Sequence, residues 1–280
     1  MNRPGGQMLQ EIPREFISVS RQIGADGLLI QGGGGNTSIK TGADTMWVKA
    51  SGKWLQRAEA EDVFVAVDWG RVNDNIAQGH DDPVQGTALP FGPAGLRPSI
   101  ETTLHSLMPH RVVFHTHSIN TIVHAIQPGA EAMLRPLLKG IKWGFVGYSK
   151  PGLPLTRGVA AVLAQGHCDV LVIENHGLVV GGDSVGETSA LMQMVETRLA
   201  TEPRAMLPPQ PGLVAEACAN TDFMAAPGDI IHQLALRAEG LALASAGSLY
   251  PDHVVFLGSA IARADSAAEL RAFCRAESDD

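Results

Sequence analysis

The chain has 280 residues, 45% hydrophobic and 18% charged, with a formal net charge of −8 and a pI near 5.7; this globular balance excludes disorder, and the acidic field excludes nucleic acid and anionic membrane as partners. No apolar run is long enough to cross a bilayer, Met1 to Phe16 has no signal-peptide core, and Cys168, Cys218 and Cys274 form no Cys-x-x-Cys pair, so a cytoplasmic protein with reduced cysteines is expected. An anionic substrate would have to be captured by local chemistry.

Ile12, Phe16, Val19 and Ile23 repeat at helical spacing and predict an opening amphipathic helix, with Gly24 placed to stop it. Leu28 to Gln31 leads into Gly32-Gly33-Gly34-Gly35-Asn36-Thr37-Ser38, after which 39–40 and 46–50 read as strands around a Thr41-Gly42 turn and 63–67 as another. From Val72 to Pro98 the chain is rich in Gly, Pro, Asp and Asn and reads as one long loop. Ser99 is placed to cap a helix to about Met108; Val112 to His117 then alternates as a strand, and a helix follows it, ending before Pro128.

The segment 156–164 reads as helix, 170–174 as a buried strand, and 177–180 as extended chain. Ser184 and Glu187 form a capping box for a helix to about Leu199. This alternation predicts a layered α/β architecture. Four prolines and a glycine between Glu202 and Gly212 mark a linker, so residues 1–202 form the expected core and 203–280 a C-terminal α/β extension packed on it. In that extension 229–246 and 266–275 read as helices and His253 to Leu257 as a strand.

Strand periodicity sends Val113, His115 and His117 to one face, so two imidazoles converge. Zinc takes neutral histidine nitrogens, and a catalytic site needs three protein ligands with one position open. His176, directly after a buried strand, is the candidate third. Glu101 lies near the start of the helix that feeds the histidine strand, and His105 follows it by one turn. Four consecutive glycines before Asn36 let backbone amides approach an anion. Taken singly, each feature has a plainer account: exposed histidines at a strand end, a His-Gly turn, a glutamate favoured by the helix dipole, a flexible glycine turn.

Taken together, these residues resemble the class II aldolase/adducin family, which includes fuculose and rhamnulose phosphate aldolases and ribulose phosphate epimerase. Gly35-Asn36-Thr37-Ser38 is similar to its Gly-Asn-x-Ser phosphate loop, Ser51-Gly52 to its second loop, Ser99-Ile100-Glu101 to its Ser-Ser-Glu segment, and His115-x-His117 with His176-Gly177-Leu178 to its zinc ligands. The resemblance spans about Glu11 to Leu199. It implies a three-layer α/β/α fold around a mixed, largely antiparallel sheet, one Zn2+ per chain, and assembly as a homotetramer. It further implies lyase chemistry on a phosphorylated ketose, with Glu101 moving the proton and Gly35, Asn36, Ser51, Gly52 and Ser99 holding the phosphate. An epimerase or decarboxylase on the same metal, and a noncatalytic adducin-like module, are the alternatives; the epimerase branch carries aspartate where this chain has Glu101, which favours cleavage.

Two departures stand out. Ile100 replaces the second serine of Ser-Ser-Glu and removes a phosphate donor, while Lys53, after Ser51-Gly52, adds a cation. Pro98-Ser99-Ile100-Glu101 and Tyr250-Pro251-Asp252-His253-Val254-Val255 are most similar to the aldolase half of rhamnulose aldolase/dehydrogenase fusions, and no dehydrogenase half is read in these residues. Tyr250 and Tyr148 are the candidates for the tyrosine that some members lend to a neighbouring site.

Overall fold

The computed structural model describes residues 12–219, 224, 226–259, 261, 263–264 and 266–276. Two compact units divide the chain at Thr201 and Glu202. In the first, α1 (Arg14–Ala25) precedes β1 (Asn36–Lys40), β2 (Thr45–Lys49), β3 (Phe64–Asp68) and α2 (Trp69–Ala77). There follow α3 (Thr102–Leu107), β4 (Val112–Thr116), α4 (Ile119–Ala125), α5 (Ala130–Leu137) and β5 (Trp143–Val146). The unit closes with α6 (Leu153–Leu163), β6 (Val170–Ile173), β7 (Gly177–Gly182) and α7 (Val185–Leu199).

The seven strands make one sheet in the order β3-β2-β1-β4-β7-β6-β5, antiparallel at every pairing except β5 with β6. Both faces are covered, so the central strands carry nearly continuous apolar runs such as Val170-Leu171-Val172-Ile173. Phe114, Val172 and Val180 face a core built with Phe16 and Ile23 of α1, Leu134 of α5 and Val195 of α7. Val113, Leu171 and Val179 face the other core, with Leu104 of α3 and Leu155 and Val159 of α6. Helix layer, sheet and helix layer give the α/β/α class expected from the sequence.

Several local expectations need correction. The 72–98 segment opens inside α2, which Asp68 starts by accepting a hydrogen bond from the Arg71 amide; only Val72 on it is buried, too sparse a pattern to read as amphipathic. Gly24 does not stop α1, which continues to Ala25 and packs its glycine tightly against Leu55 and Gln56. Ser99 does not cap α3, whose N-cap is Glu101, without a side-chain capping bond. The Ser184 cap on α7 is present, with its hydroxyl accepting from the Glu187 amide and the Glu187 carboxylate accepting from the Asp183 amide.

Among its described residues the C-terminal unit holds helices only: α8 (Pro211–Cys218), α9 (Asp229–His232), α10 (Ala238–Ser245), α11 (Pro251–Leu257) and α12 (Ala267–Ala276). The expected 229–246 helix is thus two helices, and the expected strand 253–257 is α11. Pro251 at its first turn pre-sets helical φ and loses no needed N–H, which outweighs the β-branched Val254-Val255 pair. The side chain of Cys274 lies outside the described residues.

Candidate metal centre and anion loops

The site forms where the start of β1, the end of β4 and the start of β7 come together. In the antiparallel pairing of β1 with β4, Asn36 lies opposite His115. The β6–β7 connection is a tight turn in which the His176 amide donates to the Ile173 carbonyl at 3.2 Å and Asn175 adopts a left-handed φ of 54°. The turn delivers His176 to the start of β7, which pairs with β4 through Leu178 and Thr116. Gly177 is needed at this junction, because a Cβ there would sit 2.2 Å from the Thr116 carbonyl oxygen. Gly35 is needed for the same reason on the other side: it has φ of 59°, and a Cβ would meet the His115 carbonyl oxygen at 2.8 Å.

The three imidazoles that result are all buried and form a near-equilateral triangle, with ring centroids 5.0 to 5.1 Å apart. His115 Nδ1 donates to the Leu178 carbonyl at 3.0 Å, which leaves its Nε2 as a lone pair facing the others. That Nε2 lies 3.2 Å from His176 Nε2; two nitrogens sharing a tetrahedral zinc at ~2.0–2.1 Å stand about 3.3 Å apart. Burial holds the His176 imidazole below its ordinary pKa against the pull of Glu101, and a neutral ring is the form a metal needs. Glu101 Oε1 joins the cluster, 2.9 Å from His176 Nε2 and 3.5 Å from His115 Nε2. One ligand atom from each of Glu101, His115, His117 and His176 lies within 4.8 Å of the others. These residues fit a divalent metal.

Glu101 does not act on the helix it precedes. Its second oxygen, Oε2, accepts from Asn36 Nδ2 at 2.5 Å, so the phosphate-loop asparagine also orients the carboxylate. Burial alone would raise the Glu101 pKa, but its interactions with His115 and His176 hold it well below the carboxylate range. His105 is buried behind it with Nδ1 on Ser38 Oγ at 2.7 Å. Burial above all pushes His105 down to about 3, which makes it a weak base and a neutral prop for β1.

The second loop closes against the glutamate segment: Ala50 bridges Pro98 and the Ser51 amide donates to the Arg97 carbonyl at 2.9 Å. Gly52 turns there with φ of 73°. The Ser99 hydroxyl and the Asn36 side-chain oxygen Oδ1 are buried without a hydrogen-bond partner among the described residues, which suits groups awaiting a ligand. Ile100, in the place of the missing serine, is 56% exposed.

Lys53 is half-buried, with its ammonium 3.6 Å from Glu61. The neighbouring lysine that sequence reading passed over, Lys49, is 3% exposed. Its Nζ donates to the Gly33 carbonyl at 2.6 Å and the Lys53 carbonyl at 2.9 Å. Of the candidate tyrosines, Tyr148 is 64% exposed with only its backbone amide tied to Glu174; Tyr250 sits in the C-terminal unit with its ring 6.1 Å from that of His253.

A second group, His110, His167 and Asp169, lies at the opposite end of the strands, where β4 and β6 begin. There Asp169 Oδ1 accepts from His110 Nε2 at 2.9 Å and from His167 Nε2 at 2.7 Å. It ties the starts of two strands separated by β7.

An α/β/α core with three histidines and a glutamate converging beside a glycine loop defines a class II aldolase type of protein. The chain belongs to the class II aldolase and adducin N-terminal domain family, whose profile matches residues 14–202. It is 29% identical over 183 residues to the "Uncharacterized oxidoreductase YuxG" of Bacillus subtilis (strain 168), covering 61% of this chain and 26% of that protein. The chain thus spans about a quarter of that curated relative. The N-terminal class II aldolase domain of a conserved protein from Thermoplasma acidophilum shares the fold, with a TM-score of 0.58 and 24% identity over 71% of this chain and 97% of that one. An L-fuculose 1-phosphate aldolase from Glaciozyma antarctica PI12 is also similar, with a TM-score of 0.46 and 15% identity over 66% of this chain and 68% of that one. Among the described residues, no helix is long and apolar enough to cross a membrane.

Proposed function

We propose that the chain is a zinc-dependent lyase that cleaves a ketose 1-phosphate of the fuculose or rhamnulose type to dihydroxyacetone phosphate and an aldehyde. The observation that carries this reading is the convergence of His115, His117 and His176 on a glutamate that Asn36 holds in place. Zinc on the three imidazoles would supply Lewis acidity to the ketose carbonyl and its neighbouring hydroxyl, stabilising the enediolate charge released when the carbon–carbon bond breaks.

The protein's own residues do the rest. Asn36 fixes one Glu101 oxygen and leaves the other, Oε1, to exchange a proton with the reacting carbon. Gly35, Asn36, Ser51, Gly52 and Ser99 hold the phosphate through loop amides and the partnerless buried groups. In this reading the molecule works as a cytoplasmic homotetramer.

The test is a panel of ketose 1-phosphates incubated with zinc-loaded protein, with release of dihydroxyacetone phosphate followed by a coupled assay. Cleavage of at least one member, lost on chelation and restored by zinc, is expected. Metal-replete protein that epimerises or decarboxylates a panel member without releasing dihydroxyacetone phosphate would replace the lyase reading.

A further inference from the structure

Away from the reacting residues, at the opposite end of the strands, two imidazoles and a carboxylate are gathered from the segments that lead into β4 and β6. The intervening strand β7 makes this possible. The Gly181 amide donates to the Asp169 carbonyl at 2.8 Å, and the missing side chain of Gly181 leaves room for the His110 ring, since a Cβ there would lie 2.3 Å from Nδ1. His110 is thus seated on β7 with its Nε2 turned to Asp169 Oδ1 at 2.9 Å, and His167 Nε2 meets the same oxygen at 2.7 Å. The two ring centroids are 5.2 Å apart, and one donor atom from each of the three residues lies within 4.8 Å of the other two.

Both the spacing and the chemistry of these donors suit a metal ion. Two donors at right angles on an ion ~2.1 Å from each stand about 3.0 Å apart, close to both separations at Asp169 Oδ1. Two imidazoles and one carboxylate are a ligand set that a divalent first-row metal takes on one face, leaving its other positions to water. The cluster has such a wet side. The side chains of His167 and Asp169 are 51% and 29% exposed, whereas that of His110 is 7% exposed, so an ion would be anchored from within and reached from solvent. The tautomers rank this site below the histidine triangle. His115 places its Nδ1 proton on the Leu178 carbonyl, but His110 Nδ1 is buried without a hydrogen-bond partner among the described residues, so no acceptor supports the proton shift that bares Nε2. A missing partner of that kind typically costs ~10–100-fold in metal affinity.

We propose that His110, His167 and Asp169 form a second, weaker site for a divalent transition-metal ion, separate from the histidine triangle. The ion takes the place of the two hydrogen bonds to Asp169 and fastens the start of β4 to the start of β6 across β7. Because the unfolded chain does not hold these three donors together, binding there stabilises the folded state by mass action. The site acts on stability and not on turnover, and it does not depend on the lyase reading.

The experiment titrates Ni2+ by calorimetry into tag-free protein loaded with one zinc per chain, with both metals measured on the product and Tm followed against nickel concentration. The parent should take up one Ni2+ per chain while keeping its zinc, about tenfold or more weaker than it holds zinc, and its Tm should rise as nickel is added. His167→Gln, at a half-exposed position that leaves the fold intact, should weaken the nickel event at least about tenfold and abolish the rise in Tm. Asp169→Asn should do the same. His80→Gln, which removes an exposed histidine elsewhere, should change neither readout. His176→Ala, which breaks the triangle, should keep the nickel event. The proposal is overturned by no nickel uptake beyond the zinc, by uptake that survives in both His167→Gln and Asp169→Asn, by its loss in His176→Ala, or by nickel that only expels an equal amount of zinc.

Discussion

At the scale of single residues, the site turns on which atoms of Glu101 are already committed. Oε2 belongs to Asn36, and Oε1 faces His176 and His115. Glu101→Gln preserves this shape and removes the base. General acid–base catalysis supplies ~10²–10⁴-fold in rate, so kcat for cleavage should fall by about that factor while zinc content stays at the parent level. Near-normal turnover in a zinc-replete Glu101→Gln enzyme would send the search for the base elsewhere, and His105, held near 3 by burial, would be a poor candidate. His176→Ala should do the opposite, emptying the metal site while the circular dichroism of the fold persists. The strand parity that brings His115 and His117 to one face was legible in six consecutive residues. The bond from Asn36 to Glu101 was not, because 65 residues separate them.

At the scale of elements, the metal centre depends on how closely β7 approaches β4. Gly177 is the residue that permits it, since any Cβ would press on the Thr116 carbonyl. Gly177→Ala should therefore lower stability by about 1–3 kcal/mol through overpacking, read as a drop in Tm, and should weaken zinc binding more than it disturbs the sheet. A variant with parental Tm and zinc content would show that the strands have slack at this point. The far ends of the strands are tied by Asp169. Burial raises its pKa, but the hydrogen bonds from His110 and His167 prevail and hold it below the ordinary value. A carboxylate lowered on folding contributes stability that is present above its unfolded pKa of about 4 and lost as pH falls through the folded value. Asp169→Asn should thus cost about 1 kcal/mol at pH 7, with parent and variant converging in thermal melts below about pH 4. A gap that is constant with pH would mean the carboxylate charge is not what matters.

At the scale of the whole molecule, the chain is two compact units joined through a segment without helix or strand, 201–210. Arg204 and Ala205 are exposed within it. Limited trypsin treatment should cut first at the Arg204–Ala205 bond, because a protease needs an extended, exposed backbone. Mass spectrometry should find an amino-terminal fragment ending at Arg204; a first cut inside the sheet-bearing unit would contradict this division. The amino-acid sequence by itself determined six of the seven strands of that sheet, all but the edge strand β5, together with the parity of the paired histidines, the Ser184 cap and the family, because these rest on short-range periodicity and on residue types at fixed spacing. Only the tertiary structure decided the rest. His176 reaches His115 through a hairpin and a strand pairing 61 residues apart in sequence, and the short-range signals at 251–257 conflict, with Pro251 and Val254-Val255 pulling opposite ways. Lys49 and Lys53 are four residues apart and chemically alike, yet one is buried between two loops and the other is half-buried near Glu61. Spacing cannot separate them, since burial is a property of what the rest of the chain packs around a side chain.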